Sequence, residues 1–147
     1  MRAINAAVAV NLRKCVQGHR ITNGKGKCLQ CYPGQLIFIR RWMEQGFVYL
    51  AESKRLALIK VGTCKNLDER ELSLNQHTYG GSSDWVMKTW VESSHAGQLE
   101  HKLTLALKDW REEIEYDRYW KQTYGKELFC CTYRRANAEF KRLCLFP

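Results

Sequence analysis

The stretch Gly46–Arg70, GFVYLAESKRLALIKVGTCKNLDER, constrains the fold of this chain more than any other. Two short apolar runs, FVYLA and LALIKVG, flank a polar Ser53-Lys54-Arg55, which is the pattern of a β-hairpin. The connection has no Asn-Gly or Asp-Gly to fix a two-residue turn by chemistry alone. Asn66 then stands where a helix cap is needed, with Glu69 three residues on to reach back to it. Alternation puts Phe47, Tyr49 and Ala51 on one face and Val48 and Leu50 on the other. In the second run Leu58 and Lys60 oppose Ile59 and Val61. With Lys54-Arg55 as a two-residue turn, Tyr49 pairs with Lys60, and a phenol and an amine project side by side. A packed tyrosine ring beside a snorkelling lysine accounts for the same pattern without chemistry.

In the helix opened by Asn66, Arg70 lies three residues after Leu67 and four before Leu74, so an apolar stripe carries a guanidinium. A charge there needs an anion, either an internal carboxylate or a ligand. After the polar connection HTYGGSSD, WVMKTWVE alternates as a third strand, and Ser93 or Ser94 caps a second helix, SHAGQLEHKLTLALKDW. Ala96, Leu99, Leu103, Ala106, Leu107 and Trp110 form its stripe, and Glu100 falls on the inward side. Arg70 and Glu100 either pair with each other or hold an external anion and cation. His77, His95 and His101 read as surface or capping residues.

The last third opens with REEIEYDRYWKQTYGK, a helix or ordered loop by composition. Glu127–Cys131 is a short strand or extended segment, and YRRANAEFKRLCLF closes the chain as a helix with Ala136, Phe140 and Leu143 on one stripe. Arg134, Arg135, Lys141 and Arg142 lie off that stripe, as a solvated face or a DNA contact.

The N-terminal arm has a different character. Cys15, His19, Cys28 and Cys31 form C-x3-H-x8-C-x2-C, two tight pairs of the kind a tetrahedral zinc ion takes. Gly18, Gly24 and Gly26 permit the sharp turns, and Lys14, Arg20, Lys25 and Lys27 surround the ligands with positive charge suited to phosphates. With four protein ligands the zinc is structural. Residues 1–46 carry eight basic groups against Glu44 alone, a net of +7, whereas the remainder carries sixteen basic against fourteen acidic. A basic arm on a near-neutral domain is an electrostatic footprint for nucleic acid. Between them, YPGQLIFIRRWMEQ begins with a Pro-Gly turn and continues as a helix or a strand. The organisation expected is a basic zinc knuckle over 1–34, a connecting segment over 35–45 and a core domain over 46–147.

Seven cysteines with adjacent and isolated members are no secreted disulfide framework, so a reducing, cytoplasmic setting is expected. No apolar run reaches the ~18 residues of a membrane span, and no Gly-rich phosphate loop calls for an organic cofactor.

The strand–strand–helix from Gly46 resembles the opening of the GIY-YIG nuclease superfamily. Phe47-Val48-Tyr49 and Lys60-Val61-Gly62 stand at its two tripeptides, and Lys65-Asn66-Leu67 with Arg70 matches the stretch after them. Lys60 replaces the tyrosine of the second tripeptide, as in one branch of the superfamily, and Cys64 replaces the usual threonine. The C-x2-G-H start of the arm resembles zinc knuckles attached to phage and bacterial endonucleases. The resemblance implies a metal-dependent DNA endonuclease of α+β class, with a small three-stranded, mainly antiparallel sheet flanked by helices. It implies that Tyr49, with Lys60, activates water, that Arg70 holds the scissile phosphate, and that Glu100 binds one Mg2+ or Mn2+. The alternatives are a DNA-binding protein whose core no longer cuts, and a phage-encoded antagonist of a host protein.

Overall fold

A computed structural model describes residues 8–10, 14–23 and 27–146. The chain divides into two compact units, Met1–Trp42 and Met43–Pro147.

In the first unit, strands β1 (Val8–Val10) and β2 (Ile21–Asn23) form a small antiparallel ladder. A bridge from Thr22 to Cys28 and a hydrogen bond from Leu29 N–H to Ile21 C=O fold the next turn onto β2. Cys28, Leu29 and Thr22 are the buried residues of this unit among those described. The run after Pro33 is helical, α1 (Gly34–Met43), which settles the alternative the sequence left open.

The second unit is an α+β domain. Its antiparallel sheet contains β3 (Gly46–Ser53), β4 (Leu58–Cys64), β5 (Trp85–Ser93), β6 (Arg111–Arg118) and β7 (Lys121–Phe129), in the order β5-β3-β4-β7-β6. Helices α2 (Leu67–Gln76), α3 (Ala96–Ala106) and α4 (Tyr133–Phe140) cover it. Alternation sorts the core into two layers. Val48, Leu50, Ile59, Val61 and Phe129 face Ala96, Leu103 and Leu107 after α3 and Ala136 and Phe140 of α4. On the other face Tyr49, Ala51, Leu58 and Leu128 pack with Leu74 of α2 and with Trp85.

The sheet has five strands where three were expected. The segment 111–129, read as a helix or loop plus a short strand, is a hairpin. Its inward positions are few (Ile114, Tyr116, Leu128, Phe129), so charge masks the strand period. The β3–β4 hairpin also differs from its expected register. Ser53 pairs with Leu58 across a four-residue connection, so Tyr49 lies opposite Gly62 and Lys60 opposite Ala51. This shift by two preserves parity. Tyr49 and Lys60 share a face as diagonal neighbours, within reach for long side chains.

Helix ends follow local chemistry. Asn66 Oδ1 accepts the Glu69 N–H at 3.1 Å, capping α2 as the sequence indicates. At α3 the cap position falls on His95, whose N–H donates to Ser93 Oγ, so neither serine caps the helix as expected. Thr132 caps α4 by accepting the Arg135 N–H.

Candidate functional site

Tyr49, on the interior strand β3 between β5 and β4, is fully buried, and its ring lies across Gly62 of β4. A Cβ at Gly62 would meet Tyr49 Cζ at 2.6 Å and the hydroxyl oxygen closer still, so only glycine leaves room for this tyrosine. The hydroxyl accepts a hydrogen bond from Arg70 Nε at 3.0 Å. Arg70 reaches it because Leu67 and Leu74 press the same side of α2 against the sheet. The two terminal nitrogens of Arg70 meet no acceptor among the described residues. Burial pushes the Tyr49 phenol up to about 12, the neighbouring guanidinium offsetting only part of the rise. The expected water-activating phenol therefore stays protonated at neutral pH in this state. Its hydroxyl is a hydrogen-bonding group rather than a ready base.

Lys60 is 2% exposed. Its ammonium donates to Val61 C=O at 2.6 Å and to Glu127 Oε2 at 2.7 Å, with the Tyr79 ring 5.3 Å away. Burial draws its pKa down, while Glu127 and, at longer range, Glu100 pull it back up. Glu127 is the residue that sequence reasoning passed over as a site member. Strict alternation from Leu128 would turn it to the opposite face from Lys60. Instead, the β6–β7 register breaks between Glu112 and Ile114, and Glu127 takes φ +58° inside that bulge. The left-handed backbone redirects the carboxylate to Lys60, at a cost of about 1–2 kcal/mol for a non-glycine residue. A glutamate before an apolar-Phe pair is its sole trace in the sequence.

Glu100 belongs to α3, on the other layer from α2. It is half-buried, accepts from Thr63 Oγ1 at 3.4 Å, and lies within electrostatic range of Tyr49 and Lys60. The structure thus brings Tyr49, Lys60, Arg70 and Glu100 into one electrostatic cluster. Tyr49 and Arg70 are in direct contact, and Glu100 meets Thr63 of β4.

In the first unit, the ligand atoms of Cys15, His19, Cys28 and Cys31 all lie within 4.8 Å of one another. Cys15 Sγ is 3.8 Å from Cys31 Sγ, and His19 Nδ1 is 3.6 Å from Cys28 Sγ and 3.4 Å from Cys31 Sγ. A tetrahedral ion with Zn–S about 2.3 Å and Zn–N about 2.1 Å has S–S edges of roughly 3.8 Å and S–N edges of roughly 3.5 Å. The cluster fits that geometry, and it can hold a metal ion such as zinc. The first pair sits on a turn closed by Gly18 N–H to Cys15 C=O and Cys15 N–H to His19 C=O, with Gly18 at φ +83°. The second closes through Tyr32 N–H to Cys28 C=O. Lys14, Arg20 and Lys27 stand on the exposed surface, and Lys25 lies outside the described residues.

A mixed α+β domain with a buried Tyr–Arg contact on one sheet face is the class this second unit defines. Residues 46–144 match the T5orf172 domain, and the chain belongs to that family, which is compatible with a nuclease-like enzyme or a DNA-binding role. Comparison with the curated proteins and with the solved structures gives no match.

Proposed function

We propose that this chain is a metal-dependent DNA endonuclease of GIY-YIG type, with a structural zinc knuckle and basic arm that add affinity for DNA. The observation that carries the reading is Arg70. Its Nε is fixed on a buried phenol, while its terminal nitrogens remain open, a fork matched to two oxygens of a phosphodiester. Orientation of this kind is most of what phosphodiester chemistry asks of a protein.

Tyr49 holds Arg70 in place and orients the attacking water through its hydroxyl. Arg70 neutralises charge that builds on the phosphate oxygens. The proton leaving the water passes to the carboxylate of Glu127, whose side chain is 39% exposed and whose Oε2 is held by the buried Lys60 ammonium, a lysine whose pKa burial lowers. Glu100, an oxygen donor of the type a hard cation takes, would hold Mg2+ or Mn2+. Such an ion, when bound, supplies Lewis-acid stabilisation of phosphate charge. Cys15, His19, Cys28 and Cys31 hold zinc with no open position, and Lys14, Arg20, Lys25 and Lys27 contact phosphates of the duplex.

Nicking of supercoiled plasmid in Mg2+ tests this reading. Glu100→Ala and Arg70→Ala should each lower the nicking rate by about 100-fold or more in a domain that still folds, Arg70→Ala with a lowered Tm because the buried Tyr49 hydroxyl loses its partner. Tight DNA binding without nicking by the wild type would indicate a core that no longer cuts. Neither binding nor nicking would favour a protein-directed antagonist.

A further inference from the structure

The β6–β7 hairpin ends in a feature the catalytic reading does not use. Arg118 pairs with Lys121, leaving Tyr119-Trp120 as a two-residue loop. Both loop residues are left-handed, with φ +49° and +64°. This is the backbone of a tight hairpin turn that Asn-Gly normally supplies. Two aromatic residues hold it here, against the steric preference of any residue with a Cβ. Such strain persists where the surroundings over-determine it, and it points to a use for the side chains.

The surroundings are visible. Tyr119 hydroxyl lies 2.8 Å from Nδ1 of His77, the C-terminal cap of the helix that carries Arg70, and the two rings meet edge to face. Lower in the hairpin, the Tyr79 hydroxyl donates to Lys126 C=O and accepts the Lys126 N–H. The stem is therefore anchored, yet Trp120 is wholly exposed, at 101%. Beyond the bulge, toward the tip, charge on β6 and β7 is sorted by alternation. Arg118 and Lys121 share the face of Ile114 and Tyr116, the face that carries Tyr49 and Lys60, while Glu115 and Asp117 turn to the other. Arg118 and Arg70 both lie within electrostatic range of the Tyr116 phenol. A rigid aromatic tip, basic toward the site and acidic away from it, complements a polyanion better than an apolar protein surface.

We propose that the Tyr119-Trp120 tip is a nucleic-acid contact: Trp120 stacks on an unstacked base while Arg118 and Lys121 hold the flanking phosphates, placing the strand against Arg70. The proposal rests on the reading of the chain as a DNA-acting protein, and it does not require that the strand be cut. Base–aromatic stacking tolerates any sequence, so this contact selects distorted or single-stranded sites rather than a base order.

The test uses the full chain. Affinity for a labelled duplex carrying a single-stranded gap is measured for wild type, Trp120→Ala, Trp120→Phe and Trp120→Gly, with plasmid nicking and Tm in parallel. Loss of one stack should weaken Trp120→Ala binding by roughly 5- to 100-fold, and Trp120→Phe should recover most of it. Trp120→Gly should weaken binding and yet raise Tm, because glycine accepts the left-handed backbone without a Cβ. A merely structural tip would not separate those two readouts. If the wild type binds and nicks while Trp120→Ala does both unchanged, the contact is refuted and the nuclease reading stands. If the wild type binds without nicking and Trp120→Ala binds weakly, the contact stands and the nuclease reading falls. A wild type that does not bind the gapped duplex refutes both.

Discussion

The two units of this chain, as far as their described residues go, offer different sources of stability. In the second, a sheet is buried on both faces, with Val48, Leu50, Ile59 and Val61 against α3 and α4 and Tyr49, Ala51 and Leu58 against α2. Its stability is a sum over many apolar contacts. The first unit has strands of three residues, and among its described residues only Thr22, Cys28 and Leu29 are buried. Few of the described residues of this unit are buried, and four soft ligands converge beside them, an arrangement in which metal ligation can supply folding energy. The comparison sets a part built on exclusion of water beside a part whose clustered ligands can hold a metal ion such as zinc.

The largest effect expected is loss of the arm on removal of metal. Structural zinc in small fingers binds with an apparent free energy of about 10–16 kcal/mol, nearly all of it folding energy. Purified protein should carry about one equivalent of zinc. In its NMR spectrum, excess chelator should collapse the amide signals of residues 14–32 and leave those of residues 46–146 dispersed. Cys28→Ser should reproduce that pattern without chelator. An arm that keeps its amide dispersion in metal-free protein would erase the contrast between the units.

A second test probes the core domain where it departs from apolar packing. Lys60 and Glu127 form an ion pair with unequal partners, since the lysine is 2% exposed and the glutamate 39%. Glu127→Ala strands a buried ammonium and should cost roughly 2–4 kcal/mol. Lys60→Met leaves a carboxylate that water reaches and should cost about half as much or less. Urea denaturation at pH 7 measures the order, and equal or inverted losses would overturn the assignment of Lys60 as the desolvated partner. The pH dependence has a definite sign. The folded-state pKa of Lys60 lies below the ordinary lysine value of 10.5, so in that window the unfolded chain binds more protons and stability rises with pH. Removing Glu127 takes away the group that opposes the downward shift, so the rise should begin at lower pH.

Lys60 and Glu127 also mark how far the sequence could be read. The face shared by Tyr49 and Lys60 follows from strand parity, which survives an error of two in register, and the four-residue connection from Lys54 to Ala57 made that error. The C-x3-H-x8-C-x2-C spacing led to a cluster whose distances match a tetrahedron, because short-range ligand pairs depend on local turns alone. Arg70 was legible as a charge on an apolar stripe. Glu127 was not, because a bulge and a left-handed residue reversed the face that alternation assigns. The β6–β7 hairpin was hidden for two reasons. Its outward positions are charged, and its turn uses Tyr119-Trp120 where a recognisable turn uses Asn-Gly. Local rules carried the reading wherever backbone geometry was ordinary, and failed at the strained positions.

The smallest effect expected separates the units by acid rather than by chelator. Asp84 organises the β3–β4 connection: its carboxylate accepts the hydroxyls of Ser53 and Ser82 and the Arg55 N–H. Those donors hold its pKa down at about 2. A folded-state pKa below the unfolded value near 3.9 means that the stabilisation is present above about pH 4 and drains away as pH falls toward 2. Much of the carboxylate is in contact with water, so the stabilisation is at most about 1 kcal/mol. Asp84→Asn should lower Tm slightly at pH 6. The gap between wild type and variant should then close as the pH is taken from 4 to 2, with the chelator-treated protein showing the same closure. A gap that stays constant over that range would mean that the carboxylate's charge contributes nothing to the connection, and that its hydrogen bonds serve equally well through a neutral amide.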